Sequence, residues 1–286
     1  MVVNVTQAKN KLQIIATPIG NLQELSFRAI DAFKKSQCIL CEDTRITSKI
    51  LAKFNIHNKQ LISHQKFNEN NNLNFIIKKI KTCPTVLCSD AGYPCISDPG
   101  YTLVNACYKN NIAIEVINGP SSLMHALTMS GLNIDNFYFN GFLPRNKTKR
   151  ISKLKQLSNI YVPIVFFEAV HHINQTLEDI CMIFHDPFMV ICRELTKINE
   201  TIYQGKYNEI INKIIPKGEF VIIVDNKQIK KSCNINQSNI INDVNALIKD
   251  KKTSLKQACK LIAKKINKNA SFIYNIFIQS KKTNNA

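Results

Sequence analysis

The fold is decided by a glycine- and proline-rich stretch in the first third of the chain, Ser89-Asp90-Ala91-Gly92-Tyr93-Pro94-Cys95-Ile96-Ser97-Asp98-Pro99-Gly100. It follows a short apolar run at 85–89, which is typical of a buried strand. Glycine lets a backbone approach a ligand closely, and proline stiffens a turn. We therefore interpret the stretch as a ligand-binding loop at the end of a strand.

Two further loops of this kind follow predicted strands. Thr17-Pro18-Ile19-Gly20-Asn21 comes after the apolar run 12–16, and Gly119-Pro120-Ser121-Ser122 comes after 112–117. The carboxyl ends of parallel strands share one edge of an open sheet, where ligands bind. We therefore expect the three loops to lie together. Neither a Walker A motif nor a GxGxxG motif occurs, so the usual phosphate-binding loops are not indicated.

Apolar runs alternate with amphipathic helical patterns through residue 132, which predicts an α/β fold with a mainly parallel sheet. The predicted strands of this first domain, 1–132, are 12–16, 38–41, 60–63, 85–89 and 112–117. Its predicted helices are 25–35, 46–54, 68–81, 102–110 and one from Gly119-Pro120-Ser121-Ser122 to about 130.

The pattern restarts after a break at 131–133, which predicts a second α/β domain over 133–226. Its predicted strands are 137–142, 163–168, 188–194, 201–205 and 219–225, and its predicted helices are 147–157, 171–184 and 207–214. Because no helix separates the strands near 190 and 203, we expect this sheet to be mixed.

Residues 227–286 differ from the rest in charge. They carry 13 lysines and two acidic residues, a net charge of +11 out of +18 for the whole chain. A polar linker at 227–240 precedes helical patterns at 241–250, 254–267 and 270–280, and the last two resemble a helix-turn-helix unit. This small basic helical C-terminal domain favours a nucleic-acid partner over a membrane. The alternative is a helical cap whose lysines face solvent.

The ten cysteines and the lengths of the apolar segments bear on whether the protein is exported, spans a membrane or binds a metal. No segment looks like an export signal, and no apolar run approaches the roughly 18 residues that span a membrane. We therefore expect reduced thiols and a soluble, cytoplasmic protein. Cys38 and Cys41 have the spacing of a metal half-site but lie in an apolar run without a second pair, so we interpret them as buried strand residues and predict no metal.

Seven motifs occur in order between about 12 and 225: Thr17-Pro18-Ile19-Gly20-Asn21-Leu22, Glu42-Asp43-Thr44-Arg45, Ser89-Asp90-Ala91-Gly92, Ile96-Ser97-Asp98-Pro99-Gly100, Gly119-Pro120-Ser121, Gly141-Phe142-Leu143-Pro144-Arg145 and Arg193-Glu194-Leu195-Thr196-Lys197. In these motifs the chain resembles the ribosomal RNA small subunit methyltransferase I family of the tetrapyrrole methylase superfamily. The chain departs from the family pattern at Tyr93 and Cys95, where Thr and Gly are usual, and matches it only partly at 64–69 and 168–172.

The resemblance implies a two-domain tetrapyrrole-methylase-like fold with the ligand cleft between the domains. It implies that S-adenosyl-L-methionine is the methyl donor and that no metal is needed. The implied reaction is 2′-O-methylation of a cytidine ribose, position 1402 of 16S ribosomal RNA in the customary numbering. The implied partners are the small ribosomal subunit and a second copy of the chain in a homodimer.

Site residues are carried over onto the matching motifs. For the donor site we expect Pro18, Asp90, Ala91, Gly92, Ile96, Ser97, Asp98, Pro120, Ser121 and Ser122. A ribose hydroxyl would benefit from a general base or from a cation beside the developing alkoxide. Candidate bases are Glu42, Asp43, Glu168 and Glu194, and candidate cations are Arg45 and Arg193. As an alternative, Glu42-Asp43-Thr44-Arg45 caps a helix, and His171 and His172 are surface or capping residues.

Two other functions remain open at this point. A porphyrinoid or other small-molecule methyltransferase of the same fold would share the three loops, but the basic C-terminal domain and Gly141-Phe142-Leu143-Pro144-Arg145 argue against it. A non-enzymatic ribosome-assembly or nucleic-acid-binding factor would explain the charge but would leave the three loops without a ligand.

Overall fold

The computed structural model describes residues 11–65, 72–226, 237–251, 253–265 and 269–283. The predicted linker at 227–240 and the predicted turn at 267–269 fall largely outside these residues. Contacts divide the chain into two compact units, Met1–Lys227 and Gln228–Ala286. The boundary near residue 132 stays a prediction.

The first sheet is formed by five parallel strands in the order β3-β2-β4-β1-β5. The strands are β1 (Lys11–Ile15), β2 (Cys38–Cys41), β3 (Gln60–Ser63), β4 (Thr85–Cys88) and β5 (Ala113–Ile117). The helices are α1 (Phe27–Lys35), α2 (Thr44–Lys53), α3 (Leu73–Thr82), α4 (Tyr101–Lys109) and α5 (Ser122–Met129). The five predicted strands and five predicted helices are confirmed, except that the start of the predicted helix 68–81 lies outside the described residues. Because β1 lies between β4 and β5, the three predicted ligand loops follow neighbouring strands.

The second sheet has the order β6-β7-β10-β8-β9. Its strands are β6 (Tyr138–Phe142), β7 (Ile164–Ala169), β8 (Met189–Arg193), β9 (Thr201–Gly205) and β10 (Glu219–Val224). Its helices are α6 (Lys147–Leu157), α7 (Ile173–Phe184) and α8 (Tyr207–Ile210), the last followed by a short 3-10 turn, Ile211–Lys213. β6 pairs with β7 in parallel and the other pairs are antiparallel, so the predicted mixed sheet is confirmed.

Helices cover both faces of the first sheet because its strands are apolar on both sides. α1 and α2 pack on one face and α3 and α4 on the other. Cys41 belongs to the first of these clusters and Cys38 to the second, so the two thiols point to opposite faces. Burial raises the pKa of Cys38 to about 11. The interpretation of both cysteines as buried strand residues is confirmed.

The second sheet also has two covered faces. α6 and α7 pack on one of them. On the other lie α5, through Ala126 and Leu127, and Ile19 from the loop after β1. These side chains pack with Val165 of β7 and Val221 of β10 in one apolar cluster. The loop after β1 is therefore fixed against the second sheet as well as the first.

The unit Gln228–Ala286 contains α9 (Gln237–Lys251), α10 (Leu255–Lys265) and α11 (Ala270–Thr283), which confirms the three predicted helices. All three contribute to one apolar core, with buried residues Ile240, Val244, Ala258, Cys259, Ile262, Ala263, Ile273, Ile276 and Phe277. Among the helices that the structure describes, none is long and apolar enough to cross a membrane.

Candidate active site

The loops after β1, β4 and β5 meet at the carboxyl edge of the first sheet, as the sequence predicts. The N–H of Thr17 donates to the carbonyl of Gly92, and the N–H of Gly92 donates to the carbonyl of Thr17, both at 2.9 Å. The Thr17 hydroxyl also donates to the carbonyl of Ser89 at 3.0 Å. A Cβ on Gly119 would lie 2.7 Å from the carbonyl oxygen of Ala16, so this close approach requires glycine.

The loop after β4 contains two residues in the left-handed region. Gly92 has φ +74°, and Cys95, where the resemblance leads one to expect glycine, has φ +72°. A side chain in this region costs about 1–2 kcal/mol. The Cys95 thiol fits because Gly100 lacks a side chain: a Cβ there would lie 2.5 Å from Cys95 Sγ.

Tyr93, the other departure from the family pattern, connects two of the loops. Its hydroxyl accepts the N–H of Gly119 at 3.2 Å and donates to Asn118 Oδ1 at 3.4 Å. The tyrosine therefore ties the loop after β4 to the loop after β5, a contact for which the sequence gives no signal.

A cavity of about 350 Å³ lies between these loops and the second sheet. Its size is within the usual range for small-ligand sites. Eight of the ten predicted donor residues line it, namely Asp90, Ala91, Gly92, Ile96, Ser97, Asp98, Ser121 and Ser122. The second sheet and its loops contribute Phe142, Phe167, Glu168, Ala169, Cys192, Leu195, Glu219, Phe220 and Val221.

The two remaining predicted donor residues lie outside this lining. Pro120 lines a neighbouring, more open pocket that shares Tyr93, Ile96, Ser121 and Leu123 with the cavity. Pro18 is buried and lines neither pocket, whereas the next residue, Ile19, lines the cavity.

Carboxylates concentrate on the first-sheet side of the cavity. Burial raises the pKa of Glu42, and the nearby charges of Asp98 and Asp90 raise it further. Burial also raises the pKa of Asp90, whose Oδ1 accepts the N–H of Asp43 at 3.0 Å. Like charges in a partly buried site favour binding of a cation or of hydrogen-bond donors.

Asp43 and Arg45 hold the beginning of α2 rather than line the cavity. Asp43 Oδ1 accepts the backbone N–H of Arg45 at 2.8 Å, the N-cap interaction that the alternative interpretation anticipates. The Arg45 side chain hydrogen-bonds the same carboxylate, with Nη2 2.6 Å from Asp43 Oδ2, and this lowers the pKa of Asp43 to about 2. In this motif only Glu42 reaches the cavity.

Glu168 lies in the cavity wall but is already hydrogen-bonded at both oxygens. Oε2 accepts the hydroxyl of Thr176 at 2.6 Å, and Oε1 accepts the N–H of Ala169 at 2.8 Å. Beside it, Phe167 makes edge-to-face contacts with Phe139 and Phe142, with ring centroids 4.9 and 5.7 Å apart. This wall is therefore an aromatic surface with a fixed carboxylate.

Arg193 and Glu194 also lie outside the cavity lining. Arg193 is buried and donates to the carbonyls of Lys217 and Asn199 at 2.6 and 3.2 Å. Glu194 Oε1 accepts from Lys197 Nζ at 2.9 Å and from the N–H of Glu219 at 3.0 Å. The structure places both side chains in a network that shapes the loop after β8.

Sequence reasoning missed most of the second-sheet wall. Phe167, Cys192 and Val221 alternate with core residues along their strands, and nothing in their type or spacing distinguishes a cavity wall from a core. The adjacent aromatic residues Phe166 and Phe167 give a weak indication of a cavity wall. Neighbouring side chains on a strand point to opposite faces, so only one of the two can belong to the same face of the core.

Comparison with known proteins gives the class of this fold and site. Residues 11–211 match the family model of the Tetrapyrrole (Corrin/Porphyrin) Methylases. A crystal structure of diphthine synthase superposes with a TM-score of 0.59 at 13% identity, covering 74% of this chain and 88% of that one. A cobalt-precorrin-4 methyltransferase of cobalamin biosynthesis superposes with a TM-score of 0.56 at 13% identity, covering 78% and 97%. The chain has the tetrapyrrole methylase fold.

Two curated relatives, both called ribosomal RNA small subunit methyltransferase I, narrow the class to a family. The one from Mycoplasma genitalium is 39% identical over 274 residues, covering 94% of this chain and 99% of its own length. The one from Thermotoga maritima is 39% identical over 222 residues, covering 76% and 99%. The chain belongs to the ribosomal RNA small subunit methyltransferase I family and is a methyltransferase.

Proposed function

We propose that this methyltransferase transfers a methyl group from S-adenosyl-L-methionine to the 2′-hydroxyl of a cytidine ribose in 16S ribosomal RNA, position 1402 in the customary numbering. The observation that carries the proposal is the cavity, in which eight loop residues expected at the donor site face a wall from the second sheet. The choice of ribosomal RNA as the substrate rests on the names of the relatives. Such a substrate also favours a cytoplasmic location.

The cavity's chemistry fits this donor. Gly92 lets the backbone approach a ligand closely, and Asp90 and Asp98 supply carboxylates that favour a cation and accept hydroxyl groups. Phe167 and Phe142 offer an apolar surface for a flat base. When bound, the donor supplies a methyl group already activated by its positive sulfur.

The protein then has to align the ribose hydroxyl and accept its proton. Alignment alone can be worth as much as about 7–11 kcal/mol of barrier. We assign the general base to Glu42, since it lines the cavity with a raised pKa and its carboxylate accepts no hydrogen bond from the residues that the structure describes. Glu168 fits this role less well because both of its oxygens already accept hydrogen bonds.

The other two functions have less support. A small-molecule methyltransferase shares the fold, but the relatives that match most of this chain are named for ribosomal RNA. A non-enzymatic assembly factor would not explain the cavity at the carboxyl ends of three strands.

Two partners complete the proposal. The lysine-rich unit after residue 227 docks the small ribosomal subunit, so deletion of residues 227–286 weakens substrate binding and leaves donor binding intact.

A homodimer is supported by exposed apolar side chains beside the neighbouring pocket, including Met124 (53% exposed) and Ile96 (58% exposed). Sedimentation velocity tests the dimer, which is contradicted by a monomer at micromolar concentration.

The test of the function uses labelled S-adenosyl-L-methionine and small ribosomal subunits that lack the modification. We expect one methyl group per subunit, mapped to a single cytidine 2′-oxygen. A matched reaction with subunits that already carry the modification should incorporate no label. Methylation of a base, or of a porphyrinoid instead of the subunit, contradicts the proposal.

A further inference from the structure

Helix α6 and the residues that lead into it carry a dense set of cations. We call Arg145, Lys147, Lys149, Lys153 and Lys155 the α6 basic surface. Four of the five side chains are exposed, and Lys153 is half-buried. No acidic residue occurs in Lys147–Leu157, so the charge of this helix is not balanced along its own length.

These cations also form no ion pair with any residue that the structure describes. In the part of the chain that the structure describes, no carboxylate lies within 4.0 Å of any of the five. Cations on α1 behave differently: Lys35 pairs with Asp31 at 2.7 Å and Arg28 with Glu115 at 2.8 Å. The α6 basic surface is therefore available to an external anion.

Helix stability does not explain this charge. Lys147 and Lys149 lie in the first turn, where a cation opposes the helix dipole. Lys149 and Lys153 are four residues apart, a like-charge arrangement that destabilises a helix. A polyanion bound to the helix would offset both penalties by neutralising the lysines.

The helix is held firmly despite this charge. Arg150, buried beneath the basic surface, forms an ion pair with Asp179 in which Nε lies 2.7 Å from Oδ2. Arg150 Nη1 also donates to the carbonyl of Arg145 at 3.1 Å. The side chain of Asn146 caps the helix by accepting the N–H of Lys149 at 3.1 Å. The cations therefore project from a fixed support.

The residues that lead into α6 lie near the cavity, whereas the helix itself packs on the face of the second sheet opposite the cavity wall. Phe142 lines the cavity, and the glycine before it approaches the donor loop, since a Cβ on Gly141 would lie 3.9 Å from Ser97 Oγ. Arg145 follows Phe142 by three residues, so the two Cα atoms are at most about 11 Å apart. The 11 residues of α6 extend for about 16 Å, the scale of a few nucleotides.

We propose that the α6 basic surface binds the phosphates of the RNA strand that flanks the nucleotide to be methylated. The inference rests on the proposed function and adds a contact within the unit Met1–Lys227, separate from the lysine-rich unit after it. Phosphate contacts position a strand without reading its sequence, so the surface sets the register of the substrate at the cavity mouth.

The test compares the triple variant Lys147→Gln, Lys149→Gln and Lys153→Gln with the control triple variant Lys34→Gln, Lys53→Gln and Lys109→Gln. Both remove three charges. The control lysines are exposed near the C-terminal ends of α1, α2 and α4, which return to the amino edge of the parallel sheet, opposite the cavity. Methyl transfer to small subunits that lack the modification is measured over a range of salt concentrations, and donor binding is measured by calorimetry.

We expect the α6 variant to raise KM for the subunit about tenfold at physiological salt, and to make the slope of log(kcat/KM) against log[salt] shallower by about two. Donor binding and the control variant should match the wild type. An α6 variant with the wild-type KM and salt slope overturns the inference and leaves the proposed function standing. A wild-type protein that binds donor but methylates no small subunit overturns both.

Discussion

The two sheets contribute to the cavity in different ways. The first sheet supplies backbone loops at the ends of three adjacent parallel strands, rich in glycine, proline and carboxylates. The second supplies mostly apolar side chains together with two carboxylates, Glu168 and Glu219, of which Glu168 is fixed by Thr176. Under the proposed function, recognition and acid–base chemistry would belong to the first sheet, and the second sheet would provide a wall.

The largest expected effect is at the loop after β4. Gly92→Val places a β-branched residue at φ +74° in the cavity lining, so donor binding should be lost while the protein remains folded. Gly131→Val is the matched control, because Gly131 has φ +67° and no atom within 4 Å of an added Cβ. Calorimetry with donor separates the two, and donor binding by Gly92→Val at the wild-type affinity would remove this loop from the site.

The carboxylates of the two sheets should respond differently. Glu42→Gln should lower kcat about a hundredfold or more with donor affinity retained, because it removes a general base. Glu168→Gln should instead lower the free energy of unfolding by about 1–3 kcal/mol, since it disturbs buried hydrogen bonds. Single-turnover rates and urea denaturation test the pair, and the reverse pattern would move the base to the second sheet.

The pH dependence follows from the same assignment. A base must be deprotonated to act, so kcat should fall as pH decreases through the raised pKa of Glu42. In Glu42→Gln the residual rate should lose this acidic limb. A wild-type rate that is flat down to the ordinary pKa of a glutamate would argue against a perturbed base.

The wall of the second sheet can be tested with neighbouring residues on opposite faces of β7. Phe167→Leu removes two edge-to-face contacts and should weaken donor binding about two- to tenfold. Phe166→Leu changes the fully buried face and should lower stability while donor affinity stays unchanged. If both variants bind donor as tightly as the wild type, this wall does not contact the donor.

The smallest effect is expected at Cys95. Cys95→Gly removes the backbone strain of a side chain at φ +72°, but it also makes the unfolded chain more flexible. The net gain in the free energy of unfolding should be about 0.5 kcal/mol. Cys95→Ala keeps the strain and should be less stable than Cys95→Gly. Thermal unfolding measures the order of the three proteins, and Cys95→Gly as the least stable would show that the thiol contacts outweigh the strain.

The difference between backbone loops on the first sheet and strand side chains on the second explains which parts of the site the sequence predicts and which it does not. Alternating apolar runs predict all ten strands, and the glycines at 92 and 119 mark the loops because each meets a backbone requirement at its own position. Phe167 and Val221 could not be assigned to the cavity, because a strand residue has the same pattern whether it faces a core or a ligand. The positions of Arg193 and Glu194 depend on hydrogen bonds to residues 199 and 217–219, which local sequence does not reveal.

A crystal structure with S-adenosyl-L-methionine bound tests most directly the claim that both sheets build one donor site. We predict that the donor lies in the cavity, in contact with Gly92 in the loop after β4 and with Phe167 or Val221 in the second sheet. A donor that contacts only one sheet, or that lies outside the cavity, would contradict the account.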